Sequence, residues 1–175
     1  HCELTKNIIM KNYLLLLTFV LLTFSCNNVK QNCEVVSNGF TSTEGEQVTM
    51  GSQESVDLVM TIDRAWKLRD YEMIKSLVSE DAELSLEDGR VLTGAGAFVD
   101  MIEADYQKSV VEEGGEWEWT MNYAFAVKPT SDKWGEYVNA RFTGSSGIFE
   151  EWYQIKDGKL VSWTQAKRSL AVASE

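Results

Sequence analysis

The polar side chains best placed for chemistry in this 175-residue chain lie in its last third. Glu150 and Glu151 stand directly before Trp152 and Tyr153, and Tyr137, Asn139 and Arg141 occupy alternate positions shortly upstream. Successive residues of a β-strand point to opposite faces. Glu151 therefore goes with Tyr153, and Glu150 with Trp152. In the same way Tyr137, Asn139 and Arg141 share one face, and Val138, Ala140 and Phe142 the other. A carboxyl held in an apolar cavity has a raised pKa and can donate a proton or grip a ligand. Asn139 and Arg141 would then be polar anchors on a mostly apolar floor. A plainer arrangement is open to the same residues. Glu151 then faces water or pairs with Arg141 across a hairpin, and the polar set of Tyr137, Asn139 and Arg141 is solvated.

Composition removes several other chemistries. The only histidine is His1. Past that position, Ser-His-Asp and Cys-His nucleophile systems are excluded, as is any metal site built on imidazole. The acidic run Glu112-Glu113-Gly114-Gly115-Glu116 matches no cation-loop spacing and is expected to be a solvated loop. Neither a metal nor a cofactor is expected. The chain carries a formal net charge of −11. Two of its 16 basic and one of its 27 acidic residues lie in segment 1–25, so the remainder carries −12. A field of that sign repels phosphate backbones and anionic headgroups, and nucleic-acid binding is not expected.

Lys11 precedes a 12-residue apolar run from Tyr13 to Phe24, and Cys26 follows. The run is too short for a membrane-spanning helix, which needs about 20 apolar residues. A positive start, a short apolar stretch and a small residue before a cut read as a secretory signal. With Cys26 placed as it is, the segment resembles the lipobox of bacterial lipoproteins, although Thr23, Phe24 and Ser25 stand where Leu, a small residue and Gly or Ala are usual. The resemblance implies cleavage before Cys26, acylation of its thiol and a lipid anchor in the cell envelope, with Met10 as the natural start. An ordinary cleaved leader and an uncleaved anchor are the alternatives. Cys33 is left alone; an inert thiol, intermolecular pairing and a reactive group all fit it.

Residues 26–52 show no periodicity and few large apolar groups, which suits a flexible tether. Residues 53–170 are long enough for one core, and 171–175 form a tail. Val56, Val59, Ile62 and Trp66 make one helical stripe, with Ser55 as its cap. Trp66 belongs to the core or to a cavity wall. A second helix is expected over 71–79 and a third from Ala97 to about Ser109. Strands are expected at 82–86 and 91–92 around the Asp88-Gly89 turn. Further strands follow at 117–127, 134–143, 148–156 and 160–167. Trp117, Trp119, Tyr123 and Phe125 form an aromatic stripe in the first of these, readable as core, ligand box or dimer surface. Helices followed by an antiparallel meander indicate an α+β fold.

Four features in this order resemble the NTF2-like superfamily, in its SnoaL-like branch. They are the run from Ala65 to Ala82, the Asp88-Gly89 hairpin, the glycines before the third helix, and the segment from Glu150 to Leu160. The resemblance implies a cone of three N-terminal helices packed on a curved, mainly antiparallel sheet, enclosing an apolar cavity and often dimeric. Extended from Arg69-Asp70 against the ketosteroid isomerase pattern, the general base falls on Leu86 and the oxyanion-binding tyrosine on Ile62. Neither can do those jobs. The second oxyanion acid falls on Glu151. The expected catalytic set is thus Glu151 with Arg141, and the expected pocket Trp66, Leu86, Tyr137, Asn139 and Tyr153. The expected function is a membrane-tethered, non-catalytic domain binding a small, partly apolar ligand or a protein partner, and a homodimer. The alternative is an isomerase or hydrolase with Glu151 as acid and Arg141 and Tyr153 as orienting donors.

Overall fold

A computed structural model describes residues 37, 39–41 and 45–170 of the chain. The proposed leader, Cys26, Cys33 and residues 171–175 lie outside the described residues. Two strands open the described region, β1 (Gly39–Thr41) and β2 (Glu46–Met50). Helices α1 (Gln53–Leu68) and α2 (Tyr71–Leu77) follow, then β3 (Val78–Ser85) and β4 (Val91–Thr93). Helix α3 (Gly94–Tyr106) runs on into a π-helical turn, Gln107–Glu112. The last described strands are β5 (Trp119–Pro129), β6 (Glu136–Gly144), β7 (Gly147–Lys156) and β8 (Lys159–Arg168).

All eight strands form one curved sheet in the order β1-β2-β5-β6-β7-β8-β3-β4. Every pairing is antiparallel except β3 with β8. The α+β class is as expected. The order is not: strands precede and separate the helices. Residues 46–50, expected within a flexible tether, instead form strand β2. Val48 pairs with Pro129 and Met50 with Val127, so β2 is part of the sheet. Its polar composition hid it, because an edge hairpin needs backbone partners more than apolar side chains.

Helix α1 is capped by Ser52, not Ser55. The Ser52 hydroxyl accepts from the Ser55 backbone N–H, and Ser55 is buried in the first turn. The Glu136 carboxylate lies against the same end, accepting from the Ser52 N–H and hydroxyl, each at 2.7 Å. Helix α3 starts three residues before the expected Ala97. Gly94 permits this, with φ of 84° and the Glu80 carbonyl 2.5 Å from where a Cβ would sit. Both facts demand glycine.

The core lies between the helices and the inner face of the sheet. Val59, Ile62 and Ala65 of α1 and Phe98 and Ile102 of α3 are buried there, against Val138, Ala140, Tyr153, Leu160 and Trp163 of the sheet. One bulge decides what β5 contributes. Met121 is opposite Phe142 and Tyr123 is opposite Arg141, so Asn122 is an extra residue. A bulge shifts the alternation by one. Trp119 and Met121 consequently pack against the core, while Tyr123 and Phe125 are 40% and 41% exposed. The aromatic stripe expected on one face is split between two.

Candidate functional site: a buried carboxyl inside the cone

Strands β7 and β8 bring Glu151 opposite Gln165, and Tyr153 opposite Trp163. All four side chains converge inside. Glu151 is 5% exposed, and its carboxyl accepts three hydrogen bonds. Trp163 Nε1 donates to Oε2 at 3.1 Å and the Tyr153 hydroxyl donates to the same oxygen. Gln165 Nε2 donates to Oε1 at 2.8 Å. Burial raises the pKa of Glu151, and it prevails over these three donors, which lower it; the Asp63 carboxylate raises it further. The Tyr153 hydroxyl is pushed up as well, first by burial and then by the charge of Glu151. A carboxyl of this kind holds its proton to higher pH than an exposed one.

One of its donors, Trp163, belongs to a cluster of rings. Trp66 meets Phe98 at 5.0 Å, Trp163 at 5.9 Å and Trp119 at 6.3 Å, all edge-on or nearly so, and Phe98 meets Trp163 at 5.5 Å. Asp63 closes one side, accepting from Trp119 Nε1 at 2.6 Å and pairing with Lys67 at 3.0 Å. Beyond it, Trp117 stands edge-on to both Tyr106 and Trp119. Its Nε1 is the one buried side-chain polar atom among the described residues without a hydrogen-bond partner.

The other residues selected from sequence do not gather at Glu151. Arg141 lies on the opposite face of the sheet, where its Nε pairs with Glu150 Oε1 at 2.5 Å and its guanidinium sits 5.6 Å from the Tyr123 ring. The pairing across the hairpin exists, but with Glu150 and not Glu151, because the register sets Arg141 against Glu150 and Ala140 against Glu151. Tyr137 and Asn139 share the outer alternation with Arg141. Asn139 is nonetheless buried, and its Nδ2 donates to the Glu151 backbone carbonyl at 3.1 Å. Leu86 is buried in the core cluster at the end of β3. Only Trp66 and Tyr153 of the expected pocket join Glu151.

Sequence reasoning passed over Trp163, Gln165 and Asp63. The signal for the first two was present. Trp163 and Gln165 alternate in β8 as Glu151 and Tyr153 do in β7, which marks them as same-face neighbours once the hairpin register is known. Asp63 adjoins Ile62 on the helical stripe, but nothing in its spacing distinguishes it from a solvated acid. A separate surface cavity of about 390 Å³ lies between the start of α1 and the β5–β6 and β7–β8 turns, bordered by Ser55, Lys128, Glu136 and Lys156 among others. None of the residues selected from sequence lines it.

Known structures resemble this arrangement of elements. A candidate ketosteroid isomerase from Kribbella flavida superposes with a TM-score of 0.52 at 15% identity, over 72% of this chain and 86% of that one. An NTF2-like protein of unknown function from Burkholderia xenovorans gives 0.50 at 10% identity, over 70% and 88%. An NTF2-like protein from Cytophaga hutchinsonii gives 0.50 at 12% identity, over 67% and 100%. No protein-family model matches the sequence, and no curated protein matches it. Likeness at these identities speaks to architecture alone: the chain adopts the NTF2-like fold.

Proposed function

We propose that this is a non-catalytic NTF2-fold interaction module, held in the cell envelope by a lipid on Cys26, that acts on a partner through its surface. The ring cluster on the inner face carries this reading. Trp66, Phe98, Trp119 and Trp163 pack ring against ring, and the donors that satisfy Glu151 come from its own two strands. A carboxyl so satisfied specifies the packing of a core. The expected pairing of Glu151 with an arginine is not available, since Arg141 is engaged with Glu150 on the other face.

An apolar fluorescent probe tests this. A filled cone gives no saturable quenching of tryptophan emission when the probe is titrated into the folded protein. Saturable, stoichiometric quenching would mean that the cone admits a small, partly apolar ligand, and would sink the surface-acting reading. The raised pKa of Glu151 beside the Tyr153 hydroxyl favours a second reading, a SnoaL-like isomerase or hydrolase with Glu151 as acid and Tyr153 as orienting donor. That reading requires the ring cluster to open. The tether is tested separately: labelled fatty acid should appear on the chain and vanish with Cys26→Ser.

A further inference from the structure

We propose that Glu151 is a pH gate: its ionisation parts the ring cluster of the inner face, which stays closed while the carboxyl is neutral. Such a gate rests on the reading of that cluster as a packed core and adds its regulation. The cluster hangs between two carboxyl groups, each holding one indole. Asp63 accepts from Trp119 Nε1 at 2.6 Å, and Glu151 accepts from Trp163 Nε1 at 3.1 Å. Trp66 meets both indoles, Trp119 at 6.3 Å and Trp163 at 5.9 Å. A continuous path of contacts thus joins an acid of α1 to an acid of β7 through three tryptophans.

The two acids differ in what compensates them. Asp63 has a cation, with Lys67 Nζ 3.0 Å from its other oxygen. Glu151 has dipoles: Trp163 and Gln165 of β8 and the Tyr153 hydroxyl of β7. Among the described residues no cation pairs with it. Strand β6 ties the Asn139 amide to its backbone carbonyl, and α3 and β3 bring the apolar Phe98 and Leu84 to the core. Lys167 of β8 is two residues past Gln165 and lies over the Phe149 ring. A buried carboxylate without a cation is costly, and the charge of Asp63 adds to that cost. Hydrogen-bonding capacity makes the two states discrete. As a carboxylate, Glu151 accepts from all three donors. As an acid it carries a proton of its own, and one of its partners must turn to accept it. Tyr153 can do so with its hydroxyl oxygen, and Gln165 with its amide oxygen. Gln165 is partly exposed and gives the proton a route to water. Once the proton leaves, the new charge faces that of Asp63. Hydration stabilises it, and water reaches it as Trp163 parts from Trp66.

The test uses the full chain in a mild detergent, with acrylamide quenching of tryptophan emission followed from about pH 5 to about pH 9. Wild type is expected to become more accessible to acrylamide as pH rises, in one sigmoid step. Its midpoint should lie above 4.5, the ordinary Glu value, and the far-ultraviolet circular dichroism spectrum should not change. Glu151→Gln removes the ionisable group, so the step should vanish. Asp63→Asn keeps an acceptor for Trp119 and removes the repulsion, so the step should persist and move to lower pH. That second variant keeps the test decisive where Glu151→Gln does not fold. A wild-type curve without a step overturns the proposal. A step that survives Glu151→Gln, or one that Asp63→Asn leaves in place, overturns it as well. A flat wild-type curve leaves the packed-core reading standing. Saturable quenching by an apolar probe at the acid end of the range sinks that reading and the gate together, because the cluster would then be open with Glu151 protonated.

Discussion

Strands β5 to β8 carry aromatic residues on both faces, and the two faces serve opposite ends. Inside, Trp163 and Tyr153 are almost wholly buried and join Trp66 and Phe98 around Glu151. Outside, Tyr123, Phe125 and Trp152 keep two-fifths of their surface in water. The charged groups differ likewise. Glu151 is buried beside Trp163 and Tyr153 with its pKa raised by burial, whereas Glu150, one residue away, is partly exposed and paired with Arg141. A single step along one strand separates a buried acid with a raised pKa from one in an ion pair. The comparison teaches that aromatic content alone does not mark a pocket. What matters is whether the rings face a layer of helices or open water.

Three substitutions sharpen that contrast. The largest effect belongs to the inner face. Trp163→Ala removes a ring that touches Trp66 and Phe98 and a donor to Glu151. It should cost about 3–5 kcal/mol in urea unfolding, and a loss under about 1 kcal/mol would mean the cluster is not a packed core. Next is Glu151→Gln, read as a pH profile. Because burial raises the folded pKa of Glu151 above its ordinary value of 4.5, the folded state holds this proton more tightly than the unfolded chain. Its contribution to stability is complete below about pH 4.5 and falls as pH rises toward the folded value. The Gln variant should lack that decline, so the difference between the two stability curves should shift in the variant's favour from acid to neutral pH. Parallel curves would show that Glu151 is ionised as readily folded as unfolded. The smallest effect belongs to the outer face. Tyr123→Ala, measured where the chain is monomeric, should stay within about 0.5 kcal/mol of wild type. A larger loss would place Tyr123 in the core.

Periodicity made most of the elements legible before any coordinates. The stripe of Val56, Val59, Ile62 and Trp66, the Asp88-Gly89 turn and the β6–β7 hairpin all act through local geometry that residue type dictates. The errors came where local pattern was silent. Strand β2, Glu46–Met50, is polar because it lies near the sheet edge. Ser55 was expected as the cap of α1, but Ser52 takes that place, its hydroxyl accepting from the Ser55 N–H and donating to the Glu136 carboxylate from a distant strand. The bulge at Asn122 left no mark in an alternation of apolar residues that looked unbroken. The candidate site was half readable. Alternation bound Glu151 to Tyr153 and separated both from Glu150 and Trp152, but it could not say which of the two faces met the helices.

By residue order alone this chain determined its helical and strand periods, its acidic character, the lack of imidazole chemistry beyond His1 and the opposed directions of Glu150 and Glu151. These depend on neighbours one to four positions apart. Tertiary structure decided that Glu151 points inward, that Arg141 meets Glu150, that Trp66, Phe98, Trp119 and Trp163 form one ring cluster, and that Tyr123 and Phe125 turn outward. Each of those follows from strand register and from which face of the sheet the helices cover, and both are set by contacts between residues far apart in the chain.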